Sequence, residues 1–81
     1  MAYTEVEKKE KLKLQKKFGQ HLVKLREAKG LTAAEFARRC YMETSNIARL
    51  ETGRMNPSLF VIKKLSEGLE IDIEEIFKGF K

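Results

Sequence analysis

Helix start signals recur along this chain and cut it into short pieces. Thr4-Glu5-Val6-Glu7, Thr32-Ala33-Ala34-Glu35 and Asp72-Ile73-Glu74-Glu75 each place a small polar acceptor three residues ahead of a glutamate. This is the capping-box pattern, in which the two side chains satisfy backbone N–H groups at a helix entrance. Stop signals fall between them. Gly30 and Gly53 can enter the left-handed region at low cost and end a helix there. Asn56-Pro57-Ser58 reads as a loop followed by another helix start. The punctuation predicts five helices, near residues 4–28, 32–40, 44–52, 59–68 and 72–77.

Apolar residues follow helical spacing within these pieces. Leu14, Phe18, Leu22 and Leu25 form a stripe on the first helix. Phe36, Ala37 and Cys40 mark the inner face of the second, and Ile47 and Leu50 that of the third. Leu59, Ile62, Leu65 and Leu69 do so on the fourth, with Val61 beside them, and Ile73, Ile76 and Phe77 belong to the fifth. The section before Leu14 has few apolar residues to bury. It reads as a helical extension, a frayed arm, or a tail that orders on a partner.

At 81 residues the chain supports one core, burying roughly 60–65% of its unfolded surface. Five glycines and one proline are few breakers for this length, and the class is all-α. Residues 1–17 read as a charged N-terminal extension and 18–81 as the folded domain. One cysteine, Cys40, and one histidine, His21, exclude a disulfide framework and a Cys/His metal cluster. Cys40 reads as a core residue and His21 as a surface or rim histidine. No nucleophile–base–acid set and no phosphate loop is present, so no enzyme is expected. No cofactor, metal or small-molecule ligand is expected either. No apolar run is long enough to span a membrane, and the N-terminus is too charged for a secretory signal. The expected location is the cytoplasm, at the nucleoid when bound.

The formal net charge is +5, and it is uneven. Residues 1–29 hold nine Lys/Arg against four Glu, while residues 57–81 hold four Lys against five acids. A small basic domain invites an acidic partner, with nucleic acid as the first candidate.

Residues 32–52 carry the function. They predict a helix of two turns, a tight link, and a second helix with an apolar inner side. On that second helix Ser45, Arg49 and Thr52 share a face, flanked by Thr44 and Ala48. Apart from Arg49 these side chains are short and uncharged, so the face can approach another surface closely. In a helix-turn-helix, the second helix enters the major groove and its first residues reach base edges.

Larger patterns join this segment. Gly30-Leu31-Thr32-x-x-Glu35-Phe36-Ala37 is followed by Ile47-x-x-Leu50-Glu51-x-Gly53, then by Asn56-Pro57-Ser58-Leu59 and Lys64-Leu65-x-x-Gly68-Leu69. With Leu22-x-x-Leu25-Arg26 ahead of them, these resemble the Cro/repressor-type (XRE) helix-turn-helix family over about residues 18–77. In size and in the Arg-x-Asn-Pro-Ser-Leu segment, the chain is similar to restriction-modification controllers and small phage-type repressors. The resemblance implies a five-helix lambda-repressor-like domain that binds double-stranded DNA and regulates transcription as a repressor or controller. It also implies a dimer on a two-fold operator. By matched position, Thr44, Ser45 and Arg49 are implied to read bases, and Thr32, Asn46, Thr52, Arg54 and Asn56 to face phosphates. Arg26 and Glu51 match a largely buried structural salt bridge. Arg38 and Arg39 read either as phosphate neighbours or as a solvated face. The apolar C-terminal residues Ile73, Ile76, Phe77 and Phe80 read as the homodimer surface.

The sequence departs from the family at four places. Ala33 stands where Gln is frequent, Tyr41 where Gly is usual in the turn, Glu43 where Ser or Thr caps the third helix, and Glu70 where Gly is common. A left-handed Tyr41 costs about 1–2 kcal/mol. Ala33, Tyr41 and Glu43 motivate a second reading, a helical protein-interaction module with weak or no DNA binding. The Lys-rich segment 8–17 reads as a solvated extension, with auxiliary phosphate contact as its alternative.

Overall fold

In the computed structural model, which describes residues 4–80, four α-helices are followed by one 3-10 turn. They are α1 Glu5–Ala28, α2 Ala33–Arg39, α3 Thr44–Glu51 and α4 Leu59–Leu69, and the 3-10 helix covers Ile73–Phe77. The all-α class agrees with the sequence reading, but the fifth element is not an α-helix. Asp72 precedes it in an extended conformation and makes no capping bond, so the third predicted capping box does not form. Gly79, at φ 80°, turns the chain again directly afterwards.

The other two capping boxes form in full. Thr4 Oγ1 accepts from the Glu7 N–H at 3.1 Å while the Thr4 N–H donates to Glu7 at 3.0 Å. Thr32 and Glu35 make the same exchange at 3.1 and 2.8 Å. The backbone donor at each cap lowers the pKa of its glutamate below the ordinary value. Ser58 caps α4 through the Val61 N–H. Glu43, at the start of α3, makes no side-chain cap bond.

The core is formed by Phe18, Leu22, Leu31, Phe36, Ala37, Cys40, Ile47, Leu50, Leu65, Leu69 and Ile76. Three residues of the predicted stripes, Leu14, Leu59 and Phe77, are exposed, and Leu25, Val61, Ile62 and Ile73 are only partly buried. Leu14 is exposed, and its neighbour Gln15 is buried instead at 7% exposure. Leu59, the first residue of α4, is also exposed. Burial drives the Cys40 thiol pKa up to about 11, consistent with a core role.

α1 is one continuous helix of 24 residues, which at 1.5 Å per residue accounts for the 38 Å long axis of the molecule. Gly19 lets it cross the end of α3. A β-carbon there would lie 2.5 Å from the carbonyl oxygens of Leu50 and Glu51. One turn earlier, Gln15 Nε2 donates to the Gly53 carbonyl at 2.9 Å. Gly53 has φ 78° and packs so closely on Lys16 that a β-carbon would fall 2.6 Å from its Cα.

The C-terminal segment folds back on α1 and removes one residue, Ile76, from the expected dimer surface. Ile76 is fully buried in its own core, so it is closed to a partner. A His21 ring nitrogen and the Ile76 carbonyl oxygen lie 2.8 Å apart in a hydrogen bond. Phe80 meets Phe18 edge-on with centroids 5.9 Å apart. The physical reason is size: a core this small needs its last apolar residues for its own closure, and Ile76 is spent there.

Tyr41 does adopt the left-handed conformation, at φ 55°, with its side chain 90% exposed. Glu70 does the same at φ 58° after α4. Tyr41→Gly is therefore expected to raise stability by roughly 1 kcal/mol, after the larger unfolded-state entropy of glycine is deducted. That corresponds to about 4–8 °C in the thermal midpoint. A midpoint that falls would show that contacts of the Tyr41 ring outweigh its backbone strain.

Candidate nucleic-acid interface

α2 and α3 are joined by Cys40–Glu43 and form the expected helix-turn-helix. The link is closed by backbone bonds from the Tyr41 N–H to the Arg38 carbonyl and from the Met42 N–H to the Ala37 carbonyl. Ile47 and Leu50 anchor α3 in the core, which turns its opposite side outward. Thr44, Ser45, Ala48 and Arg49 are all exposed on that side.

An ion pair fixes the far end of α3 to α1. Arg26 donates to Glu51 through Nε at 2.7 Å and Nη2 at 3.2 Å, and through Nη1 to the Leu31 carbonyl at 2.8 Å. The two side chains are only 15% and 11% exposed. Glu51's hydrogen bonds raise the Arg26 pKa further, so the guanidinium is always charged. Geometry and burial agree with the structural role implied for this pair.

The expected contact residues divide by geometry. Arg49 Nη1 donates to Asn46 Oδ1 at 3.0 Å, which braces the guanidinium and leaves its other N–H groups free. Asn46 is half-buried, with its amide N–H₂ still available as a donor. Thr52 is exposed, but its hydroxyl donates to the Ala48 carbonyl at 2.8 Å. Thr32 is exposed at the entrance of α2. Its oxygen accepts from Glu35, and its hydroxyl proton stays free. Arg54 and Asn56 are exposed on the segment between α3 and α4. Asn56 also borders an open apolar groove of about 320 Å³ with Leu14, Phe18, Pro57, Phe77 and Phe80.

Arg39 pairs with Glu70 at 2.8 Å. The Glu70 departure thus supplies a charge partner to α2. Lys64 Nζ donates to the Tyr41 carbonyl at 3.3 Å and lies 5.6 Å from the Phe60 ring centroid. Gln15 and Gly19, which seat α1 against α3 and its loop, were missed by the sequence reading. Gln15 lies three residues before Phe18 and seven before Leu22, so a stripe admitting polar residues would have included it. Gly19 had no such signal, since an interior helix glycine does not reveal what it faces. Among the described residues no His, Cys, Asp and Glu side chains converge as a metal site. No helix there is long and apolar enough to cross a membrane.

Known proteins share this arrangement. The helix-turn-helix family pattern matches residues 22–76. The control protein C.MunI from a Mycoplasma species is 36% identical over 66 residues, covering 80% of this chain and 89% of that protein. The restriction-modification controller protein C.AhdI from Aeromonas hydrophila is 40% identical in sequence. Its crystal structure superposes with a TM-score of 0.75 over 78% of this chain and 96% of its own. The clp gene regulator ClgR from C. glutamicum is similar in fold, with a TM-score of 0.74 at 23% identity over 80% of this chain and 84% of its own. A two-helix unit set at the expected link, an outward polar face on α3 and these matches agree: the chain belongs to the helix-turn-helix family.

Proposed function

We propose that this chain is a sequence-specific double-stranded DNA-binding regulator of transcription, acting as a repressor or controller. The observation that carries the reading is the exposed face of α3, where Thr44, Ser45 and Arg49 stand outward from a helix anchored by Ile47, Leu50 and the Arg26–Glu51 pair. α3 enters the major groove, with Arg49 donating to guanine O6 and N7 and Thr44 and Ser45 making short polar contacts. Thr32, Asn46, Arg54 and Asn56 contact phosphates, which fix register without carrying sequence information. Thr52 joins them as a donor once its hydroxyl leaves the Ala48 carbonyl. The similarity to a control protein and a restriction-modification controller supports regulation as the role.

An eight-residue helix reads few base pairs, so the reading includes a homodimer that doubles the site. Phe77, 43% exposed beside the apolar groove, is the C-terminal residue best placed for a second copy. Ile73 and Phe80 are half-buried and contribute at its edge.

Selection of bound duplexes from a random pool at near-physiological salt tests the reading. The wild-type chain is expected to enrich an inverted repeat with half-sites about 34 Å apart. Arg49→Ala is expected to lose preference at one base pair per half-site, about 1–3 kcal/mol of discrimination. Survivors no different from the input pool would favour the protein-interaction module, and an unaltered profile for the variant would remove Arg49 from base reading.

A further inference from the structure

The first half of α1 lies outside the segment matched by the family pattern, which begins at Leu22. It is the most basic part of the chain, with Lys8, Lys9, Lys11, Lys13, Lys16 and Lys17 against Glu5, Glu7 and Glu10. Its lysines are not equivalent. Lys9, Lys13 and Lys16 follow at i, i+4 and i+7 and therefore share one side of the helix. With Leu12 they line an open trough whose other wall is Gly53. Among the described residues, none of these three lysines enters an ion pair, whereas Lys8 pairs with Glu5 and Lys63 with Glu67.

Gly53 is the link to the DNA-facing surface. It stands between Thr52 and Arg54, both exposed and both among the expected phosphate contacts. The α1 extension is held there by two independent contacts, the Gln15 bond to the Gly53 carbonyl and the close backbone approach at Lys16. From Lys16 to Lys9 the ridge runs about 10 Å at 1.5 Å per residue. One DNA strand presents a phosphate about every 3.4 Å along the axis, so two or three phosphates fall within its span. A membrane surface fits less well. Leu12 lines the trough and Leu14 shares a second open groove with Lys13 and Lys16, and two separate leucines among charges are too few to insert into a bilayer.

We propose that Lys9, Lys13 and Lys16 form a second phosphate-binding ridge for duplex DNA, continuous with Arg54, that carries the footprint outward from each half-site. The proposal rests on α3 being the DNA-reading helix, since that reading places Arg54 beside a phosphate strand.

The test is affinity against salt concentration for the full chain, on its selected duplex and on a scrambled one. Three proteins are compared: wild type, the ridge variant Lys9→Gln/Lys13→Gln/Lys16→Gln, and a charge-matched control, Lys24→Gln/Lys63→Gln/Lys78→Gln. All six lysines are exposed, and melting curves are expected to coincide. Each lost phosphate contact lowers the slope of log K against log salt by about 0.9, so the ridge variant is expected to lose about 2–3 in slope. The control is expected to keep the wild-type slope. Preference for the selected duplex over the scrambled one is expected to be the same for wild type and ridge variant, because phosphates carry no sequence. An unchanged slope in the ridge variant, or an equal loss in the control, overturns the ridge. A wild type that cannot tell the two duplexes apart, yet still loses slope only in the ridge variant, overturns the α3 reading and leaves the ridge standing.

Discussion

Glu51→Ala is expected to destabilise the fold by about 3–5 kcal/mol, because it strands a charge that cannot leave. Arg26 is held on two sides, by both carboxylate oxygens of Glu51 and by the Leu31 carbonyl. Once the carboxylate is gone, an Arg26 side chain that is 85% enclosed in the intact pair is left with one neutral acceptor. A domain of this size has about 4–12 kcal/mol of total stability, so the loss is a large share of it. The Ala variant is expected to unfold at a much lower urea midpoint with a similar slope. The pair need not be strongly stabilising against an apolar alternative, since desolvation of two charges offsets most of their attraction. Arg26→Met combined with Glu51→Leu is therefore expected to recover most of the loss. If urea unfolding of Glu51→Ala shows less than about 1 kcal/mol, the pair behaves as a solvent-screened one. If the double variant is no better than the single, packing around the site matters more than the stranded charge.

The contrast between Arg26–Glu51 and Gln15–Gly53 explains how much of this molecule was legible. Helix boundaries were readable because the signals are local: Thr32 and Glu35 meet across one turn, and Gly53 needs only its own φ. The outward face of α3 followed from Ile47 and Leu50 pointing inward. What stayed hidden depends on elements far apart in sequence. Whether residue 14 or 15 is buried is decided by where the Gly53 carbonyl lies, and that oxygen selects an amide donor over leucine. The fate of Ile76 was hidden for the same reason. Apolar residues near a terminus look alike whether they close the chain's own core or await a partner, and here the His21 bond to the Ile76 carbonyl accompanies its burial. Tyr41 shows the opposite limit. Its strained conformation was foreseeable from the turn geometry, but no contact of its exposed side chain explains why tyrosine stands there.

Gly19→Val is expected to lower stability by about 3 kcal/mol, the upper end for an overpacked core. Replacing an interior helix glycine by alanine ordinarily gains close to 1 kcal/mol from helix propensity, so Gly19→Ala sets two effects of opposite sign against each other. Contact geometry decides which prevails. The new β-carbon would stand 2.5 Å from two backbone oxygens, those of Leu50 and Glu51, and neither can retreat unless α3 moves. Gly68 makes a useful comparison. A β-carbon there meets the Cys40 thiol, a side chain, with the nearest backbone atom 3.4 Å away. Gly68→Ala is expected to cost less than Gly19→Ala, because a thiol can shift where a carbonyl cannot. In the Val variant α3 is pushed off α1 near Glu51, which also lengthens the bonds to Arg26. Urea unfolding gives the stability loss, and amide exchange locates it. The expected result is loss of protection in α3 and in the middle of α1, with α4 less affected. A Gly19→Val protein as stable as the wild type would mean that the α1–α3 crossing adjusts at little cost, and the outward face of α3 would then be fixed by Ile47, Leu50 and the Arg26–Glu51 pair without it.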